Sequence, residues 1–159
     1  MVMLTLISVG TLKESYLREA YAEYKKRLSQ YARLEEINIP EETIRNEESS
    51  AEIERALKAE GERIIASIPK DSEVIALCVE GKELDSPALA ERLGRMQSEK
   101  GRITLIIGSS HGLCEQVKAK ASLRLSISRL TFPHQLMRVL LSEVLYRSFT
   151  ILAGKKYHK

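Results

Sequence analysis

The sequence predicts an α/β fold, a mostly parallel sheet with helices on both faces, and two observations predict it. Short apolar, β-branched runs alternate with amphipathic stretches along the whole chain. The central runs "LTLISVG", "EVIALCVEG" and "RITLIIG" are apolar at successive positions rather than at every second one, so both faces of those strands demand cover. With 159 residues, 43% hydrophobic and 30% charged, the chain reads as one ordinary globular domain, 1–159, rather than a disordered segment. A chain of this length buries roughly 70% of its unfolded surface and needs no disulfide or metal to fold.

Each element has its own signal. Leu4 to Gly10 is a buried strand ending in glycine. Glu14 to Tyr31 places Leu17, Ala20, Tyr21, Tyr24 and Leu28 at helical spacing. "LEEINIP" alternates and stops at Pro40 as a second strand, and the acidic "EETIRNEESS" follows as the expected mobile linker. Ser49-x-x-Glu52 is a capping box for a helix that runs to about Ile68, where Pro69 forbids continuation. "EVIALCVEG" is the third strand. Ser86 and Pro87 then supply a cap and a first-turn proline for a helix closing near Gly101. "RITLIIG" is the fourth strand, Cys114 to Lys120 a short helix, and "LRLSIS" the fifth strand. Pro133 to Leu152 is the last helix, and residues 154–159 form a short functional tail.

Several function classes are excluded or weakened at this stage. No apolar run approaches the length of a membrane span. "MVMLTLISVGTLKESY" has no basic segment ahead of its apolar run and no cleavage site, so it reads as a strand rather than a signal peptide, and the cytoplasm is the expected compartment. Cys78 and Cys114 lack metal-ligand spacing, and no metal is expected. Two inert thiols in a reducing compartment is the plainer reading, with a reactive Cys114 at a helix start as the alternative. Charge is uneven: residues 34–62 carry ten acidic and three basic side chains, whereas residues 114–159 carry nine Lys/Arg against Glu115 and Glu143. That asymmetry suggests a basic face for a polyanion, most simply a phosphate backbone.

Ligands of open α/β sheets bind beyond the carboxyl ends of the strands, which directs attention to "CVEGKEL", "IIGSSHGL" and "SISRLTFPHQ". "GSSHGL" is neither a dinucleotide fingerprint nor a P-loop; a ligand-hugging loop and a plain turn both explain it. His111 within it is a general base or a solvated loop residue. Phe132 is pushed towards extended backbone by Pro133, and Met137, Leu140, Leu141, Val144, Leu145 and Ser148 form a packing stripe behind it. His134, Arg138 and Ser142 recur at i, i+4 steps on another face and read as a polar ridge rising from a ligand loop. The tail "GKKYHK" combines rings with cations, which suits stacking on bases and pairing with phosphates, or is simply a basic terminus.

"IIGSSHGL", "ISRLTFPHQLMRVLLSEVLYR" and the terminal "YHK" together resemble the ribosomal RNA large subunit methyltransferase H family of the SPOUT superfamily. "VG-LKE-Y" at the start, the acidic middle and "EGK" after the third strand extend the resemblance over the whole chain. The resemblance implies a C-terminal trefoil knot, which general topology rules argue against. It also implies a homodimer, S-adenosylmethionine as methyl donor, and methylation of N3 of a pseudouridine in a stem-loop of 23S ribosomal RNA, with no membrane or DNA partner. Carried over by position, the cofactor contacts fall on Leu77, Gly108, Ile127, Ser128, Arg129, Leu130, Thr131 and Phe132, with Leu77 and Leu130 as apolar walls. Arg138, Tyr157 and His158 match positions implied in RNA binding or catalysis: Arg138 as a cation facing the RNA and favouring the attacking anion, His158 as acceptor of its proton from across the dimer. Ser109 departs from the family, which usually has a second glycine there; a left-handed backbone at that position would strain a serine. A SPOUT enzyme acting on tRNA and a non-catalytic RNA-binding module are the alternatives, separated from this reading by substrate and by cofactor binding.

Overall fold

In the computed structural model, which describes residues 1–159, five parallel strands form one sheet in the order β2-β1-β4-β3-β5. The strands are β1 (Val2–Val9), β2 (Ala32–Ile39), β3 (Glu73–Glu83), β4 (Arg102–Ile107) and β5 (Leu123–Ser126). The helices between and after them are α1 (Ser15–Leu28), α2 (Ser50–Ser67), α3 (Ser86–Lys100), α4 (Glu115–Lys120) and α5 (His134–Leu152).

Both faces of the sheet are covered, for the reason the apolar runs gave. Leu4, Leu6, Leu105 and Ile107 point into a cluster with Leu17 and Tyr21 of α1, Leu93 and Met96 of α3, and Leu141, Leu145 and Phe149 of α5. Ile7, Val9, Ala76 and Ile106 alternate onto the opposite face against Ile64 of α2 and Val117 of α4. Each fully buried leucine or isoleucine of this kind contributes roughly 1.5–3 kcal/mol. Strands alternating their side chains between two helical layers thus account for runs with no polar face.

Helix ends follow local chemistry, with one change from expectation. Ser49 caps α2, accepting from the Glu52 amide at 3.2 Å. Glu52 does not reach back to Ser49 as a capping box would. Its carboxylate instead accepts from the Arg45 and Asn46 amides, and so ties down the acidic linker. The cap of α3 is Asp85, not Ser86: its carboxylate accepts from the Ala88 amide at 2.9 Å, which leaves Ser86 and Pro87 as the first helical residues.

β3 is longer than "EVIALCVEG" because it bulges. Its register against β5 shifts between Leu77, paired with Leu125, and Lys82, also paired with Leu125. Gly81 makes the return possible: a Cβ there would sit 2.7 Å from the Arg124 carbonyl oxygen. Val79 and Glu80 are thereby left exposed at the carboxyl end of the sheet, while Cys78 stays buried.

Candidate functional site

The loops after β3, β4 and β5 enclose a cavity of about 420 Å³. The bulge of β3 supplies Leu77 to Glu80, the turn after β4 supplies Ile107 to Leu113, and the segment entering α5 supplies Ile127, Ser128, Leu130, Thr131 and Phe132. Seven of the eight residues carried over as cofactor contacts line it. Arg129 does not: its side chain is 90% exposed and pairs with Glu83 at 3.3 Å, so it turns outward while its neighbours turn in. Ser128 shapes that segment, its carbonyl accepting from Ser126 Oγ and its own hydroxyl accepting from the Leu130 amide, both at 3.0 Å.

The turn after β4 is held by close backbone approach. A Cβ on Gly108 would stand 2.3 Å from the Gly112 carbonyl oxygen, and the Gly112 amide donates to the Ser109 carbonyl at 2.9 Å. Gly112 has φ +88°, which glycine adopts without a steric penalty. Ser109 is not strained, because the one non-glycine residue with positive φ is Asp71. Instead Ser109 is buried, with its hydroxyl accepting from the His111 amide at 3.3 Å.

Electrostatic ties brace the rim. His111 Nε2 lies 2.6 Å from Glu47 Oε2, joining the turn to the acidic linker. Glu60 of α2, buried beneath, accepts from the Glu42 amide at 2.9 Å. Burial pushes the Glu60 carboxyl above the ordinary range, reinforced by Glu41 and opposed by the Glu42 amide and Ser109 hydroxyl. The linker expected to be mobile is therefore pinned at Glu42, Arg45, Asn46 and Glu47. Lys118 pairs with Glu80 on the bulge, and this hydrogen bond holds its ammonium above the usual lysine range. Burial raises the Cys78 thiol, which makes it a poor nucleophile. Cys114 Sγ packs over α2, 2.3 Å from where a Cβ on Gly61 would stand.

The polar ridge on α5 is not a solvent-facing ridge. Arg138 is 7% exposed and its guanidinium donates to the Gly10 carbonyl at 3.0 Å; Ser142 is buried and donates to the Val139 carbonyl. Burial lowers Arg138 from the ordinary arginine value, with Tyr21 and Glu36 opposing that shift. Spacing at i, i+4 places residues on one face but says nothing about what covers it, and here the end of β1 and α1 do. His134, at the head of the same face, is half-buried and lines the cavity, as does Met137.

The tail is docked rather than free. Gly154 at φ +67° turns the chain, and Tyr157 donates to Glu143 Oε1 at 3.1 Å. The Tyr157 ring meets the edge of Tyr146 at 4.7 Å and lies under the Arg147 guanidinium at 4.7 Å. His158 Nδ1 lies 3.3 Å from Arg147. These contacts sit about three helical turns, roughly 18 Å, from His134 at the cavity. Within one chain, Tyr157 and His158 do not join the cavity residues.

Val79, Glu80 and His134 line the cavity from strand-end loops that the sequence singled out, whereas Lys118 is a lining residue that sequence reasoning missed. Gly81, a strand-interior glycine, marks the bulge that carries Val79 and Glu80. Lys118 belongs to α4 and reaches the cavity by pairing with Glu80, which no spacing announces.

The family described as predicted SPOUT methyltransferase matches residues 2–158. The chain is 46% identical over 157 residues to the ribosomal RNA large subunit methyltransferase H of Shouchella clausii, covering 98% of this chain and 99% of that protein. It is 47% identical over 161 residues to the protein of that name from Carboxydothermus hydrogenoformans, with 98% and 99% covered. The corresponding protein of Caldicellulosiruptor saccharolyticus is 45% identical over 157 residues, covering 99% of this chain and 100% of its own length.

Proposed function

The chain belongs to the SPOUT methyltransferase family, and from that membership we propose that it methylates large-subunit ribosomal RNA at N3 of a pseudouridine, with S-adenosylmethionine as donor. The observation that carries the reading is the cavity at the carboxyl ends of three adjacent strands, with seven of the eight positions matched to family cofactor contacts on its wall. Its volume, about 420 Å³, lies in the range of small-molecule sites. The Gly108 turn, with no room for a side chain, brings backbone close enough to hold an adenine and an amino-acid moiety.

When bound, the donor supplies an electrophilic methyl group on a sulfonium. The chain's own work is to position and desolvate. Leu77 and Leu130 close apolar walls, the backbone from Ile127 to Phe132 meets polar edges, and the Lys118–Glu80 pair fixes the bulge. The chain threads a trefoil knot through this region as one catalytic domain, and it acts in the cytoplasm on the large subunit. Arg138 serves as a positioning cation under the loop that starts at Gly10, on the acceptor side of the cavity.

The working unit is a homodimer. Tyr157 and His158 are docked too far along α5 to serve the cavity of their own chain. They contact the RNA at the partner's cavity, with rings stacking on unpaired bases and the nearby lysines meeting phosphate.

The test is mass spectrometry of 23S ribosomal RNA from a strain lacking the protein, paired with purified protein, S-adenosylmethionine and ribosomes. Loss of one methyl group on a pseudouridine, restored in vitro, is the expected result. Methylation of tRNA instead would move the chain to another branch of the family. No thermal stabilisation by S-adenosylmethionine would leave an RNA-binding module.

A further inference from the structure

A second cavity, of about 440 Å³, opens beside the first at the ends of β1 and β2. It is polar, with Thr11, Lys13, Asn38, Glu41 and Gln135 on its walls. One residue, His134, lines both cavities. Its Nε2 lies 3.9 Å from the point where a Cβ on Gly10 would stand, and Glu41 Oε2 lies 3.5 Å from the same point, so both groups converge over Gly10 on the wall of the second cavity. The chain has three histidines. His111 is tied to Glu47 and His158 to Arg147, whereas His134 has no such partner.

We infer that the second cavity receives the target base and that His134 is the catalytic proton acceptor. This rests on the methyltransferase reading above and assigns the proton to His134 rather than to His158. Methyl transfer demands the attacking atom within about 3–3.5 Å of the methyl carbon, so the acceptor nitrogen must sit at the junction of the donor and acceptor spaces. His134 is the side chain at that junction. The N3–H proton passes to its Nε2, and the freed N3 lone pair forms the new bond to the methyl carbon. The methyl–sulfur bond breaks with its electron pair staying on sulfur, leaving a neutral thioether. The imidazolium then returns its proton to water. The charged groups that line the cavities with His134 are Glu41 from the linker after β2 and Lys13 from the loop after β1 in the second, and Glu80 of the β3 bulge and Lys118 of α4 in the first; Arg138, four residues further along α5, is held on Gly10. Glu41 offsets the positive charge that forms on the ring. Gln135 accepts from the Lys13 amide at 2.9 Å and so keeps the floor of the cavity in place.

The experiment compares wild type, His134→Gln, His158→Gln and Thr11→Trp, using S-adenosylmethionine and pseudouridine-containing large subunits. Calorimetric cofactor affinity, rRNA binding and the pH profile of kcat are the readouts. For His134→Gln the expected result is cofactor affinity within threefold of wild type and kcat lowered about 100-fold or more. The pH dependence of kcat shared by wild type and His158→Gln disappears in this variant. Thr11→Trp, which plugs the second cavity, is expected to abolish transfer and weaken rRNA binding while cofactor affinity holds. A His134→Gln kcat near wild type, or a His134→Gln variant that loses the cofactor, would overturn the assignment. Thr11→Trp turning over normally would overturn the placement of the base. Wild-type protein that binds the cofactor yet leaves pseudouridine unmethylated would sink the functional reading, and the inference with it.

Discussion

Arg138, in the second turn of α5, donates to the carbonyl of Gly10 at 3.0 Å and joins the last helix to the first strand's end across 128 residues of chain. Gly10 lines the second cavity, so the arginine braces that cavity from beneath. Arg138→Ala leaves the half-buried Gly10 carbonyl without its donor and opens a void. The expected cost is about 1–3 kcal/mol, a melting temperature lower by roughly 3–10 °C. Methyl transfer to rRNA should fall more than about tenfold while cofactor affinity changes less than threefold, since the brace serves positioning on the acceptor side. Calorimetry and single-turnover rates measured well below the transition check both. Unchanged turnover in a folded variant would remove Arg138 from the site.

The sheet and its layers were legible because apolar runs and amphipathic spacing report burial directly. "RITLIIG" can hardly be anything but a central strand, and β4 is one. The cavity was legible as three strand-end loops, because parallel topology puts those loops together. What spacing did not reveal was which partner each polar side chain takes. Arg138 and Ser142 looked like a ridge, yet β1 and α1, far off in sequence, cover them. Arg129 looked like its neighbours until the turn at Ser128 rotated it outward. Tertiary cover and a local turn decide these cases, and neither leaves a periodic trace.

Glu60 gives a pH dependence with a defined sign. Its folded-state pKa lies above the unfolded value, chiefly through burial, so the native state binds the proton more tightly. The cost of burying the charge is present above the folded pKa and disappears as pH falls through it. Glu60→Gln keeps an acceptor for the Glu42 amide and removes that cost. Relative to wild type, its melting temperature should be higher by roughly 2–4 °C at pH 8, for about 1 kcal/mol. The advantage should vanish at pH 4. An advantage that grows on acidification would refute this account.

Arg129 is a negative control inside the segment proposed to hold the cofactor. Its guanidinium meets Glu83 at the surface, where such pairs contribute about 0–1 kcal/mol. Arg129→Ala should leave cofactor affinity within about twofold and stability within about 0.5 kcal/mol, as titration calorimetry and thermal melts will register.

The docked tail makes a prediction about shared sites. Deleting Tyr157–Lys159 removes the contacts to Glu143, Tyr146 and Arg147, all far from the cavity. The truncated chain should bind S-adenosylmethionine normally and leave rRNA unmethylated. Co-refolding it with an equal amount of Gly108→Ala chain should restore about a quarter of wild-type activity, because in the proposed dimer half the pairs then carry one intact composite site. No recovery on mixing would place the tail's action within its own chain.

Gly108 carries the sharpest steric prediction. A Cβ there would stand 2.3 Å from the Gly112 carbonyl oxygen and 2.9 Å from Leu113 Cδ2. Backbone cannot give way cheaply, because the Gly112 amide is already bonded to the Ser109 carbonyl at 2.9 Å. Gly108→Ala therefore forces the turn after β4 open and spoils the wall proposed to meet the cofactor. Gly112→Ala is the informative contrast, since nothing lies within 4 Å of its Cβ position and only φ +88° opposes a side chain. That conformational term alone costs about 1–2 kcal/mol. Cofactor affinity should fall at least about tenfold in Gly108→Ala, equivalent to 1.4 kcal/mol, and by less in Gly112→Ala at similar stability. Equal affinities in the two variants would mean that the turn's close backbone approach is a folding requirement and not the surface the cofactor rests on.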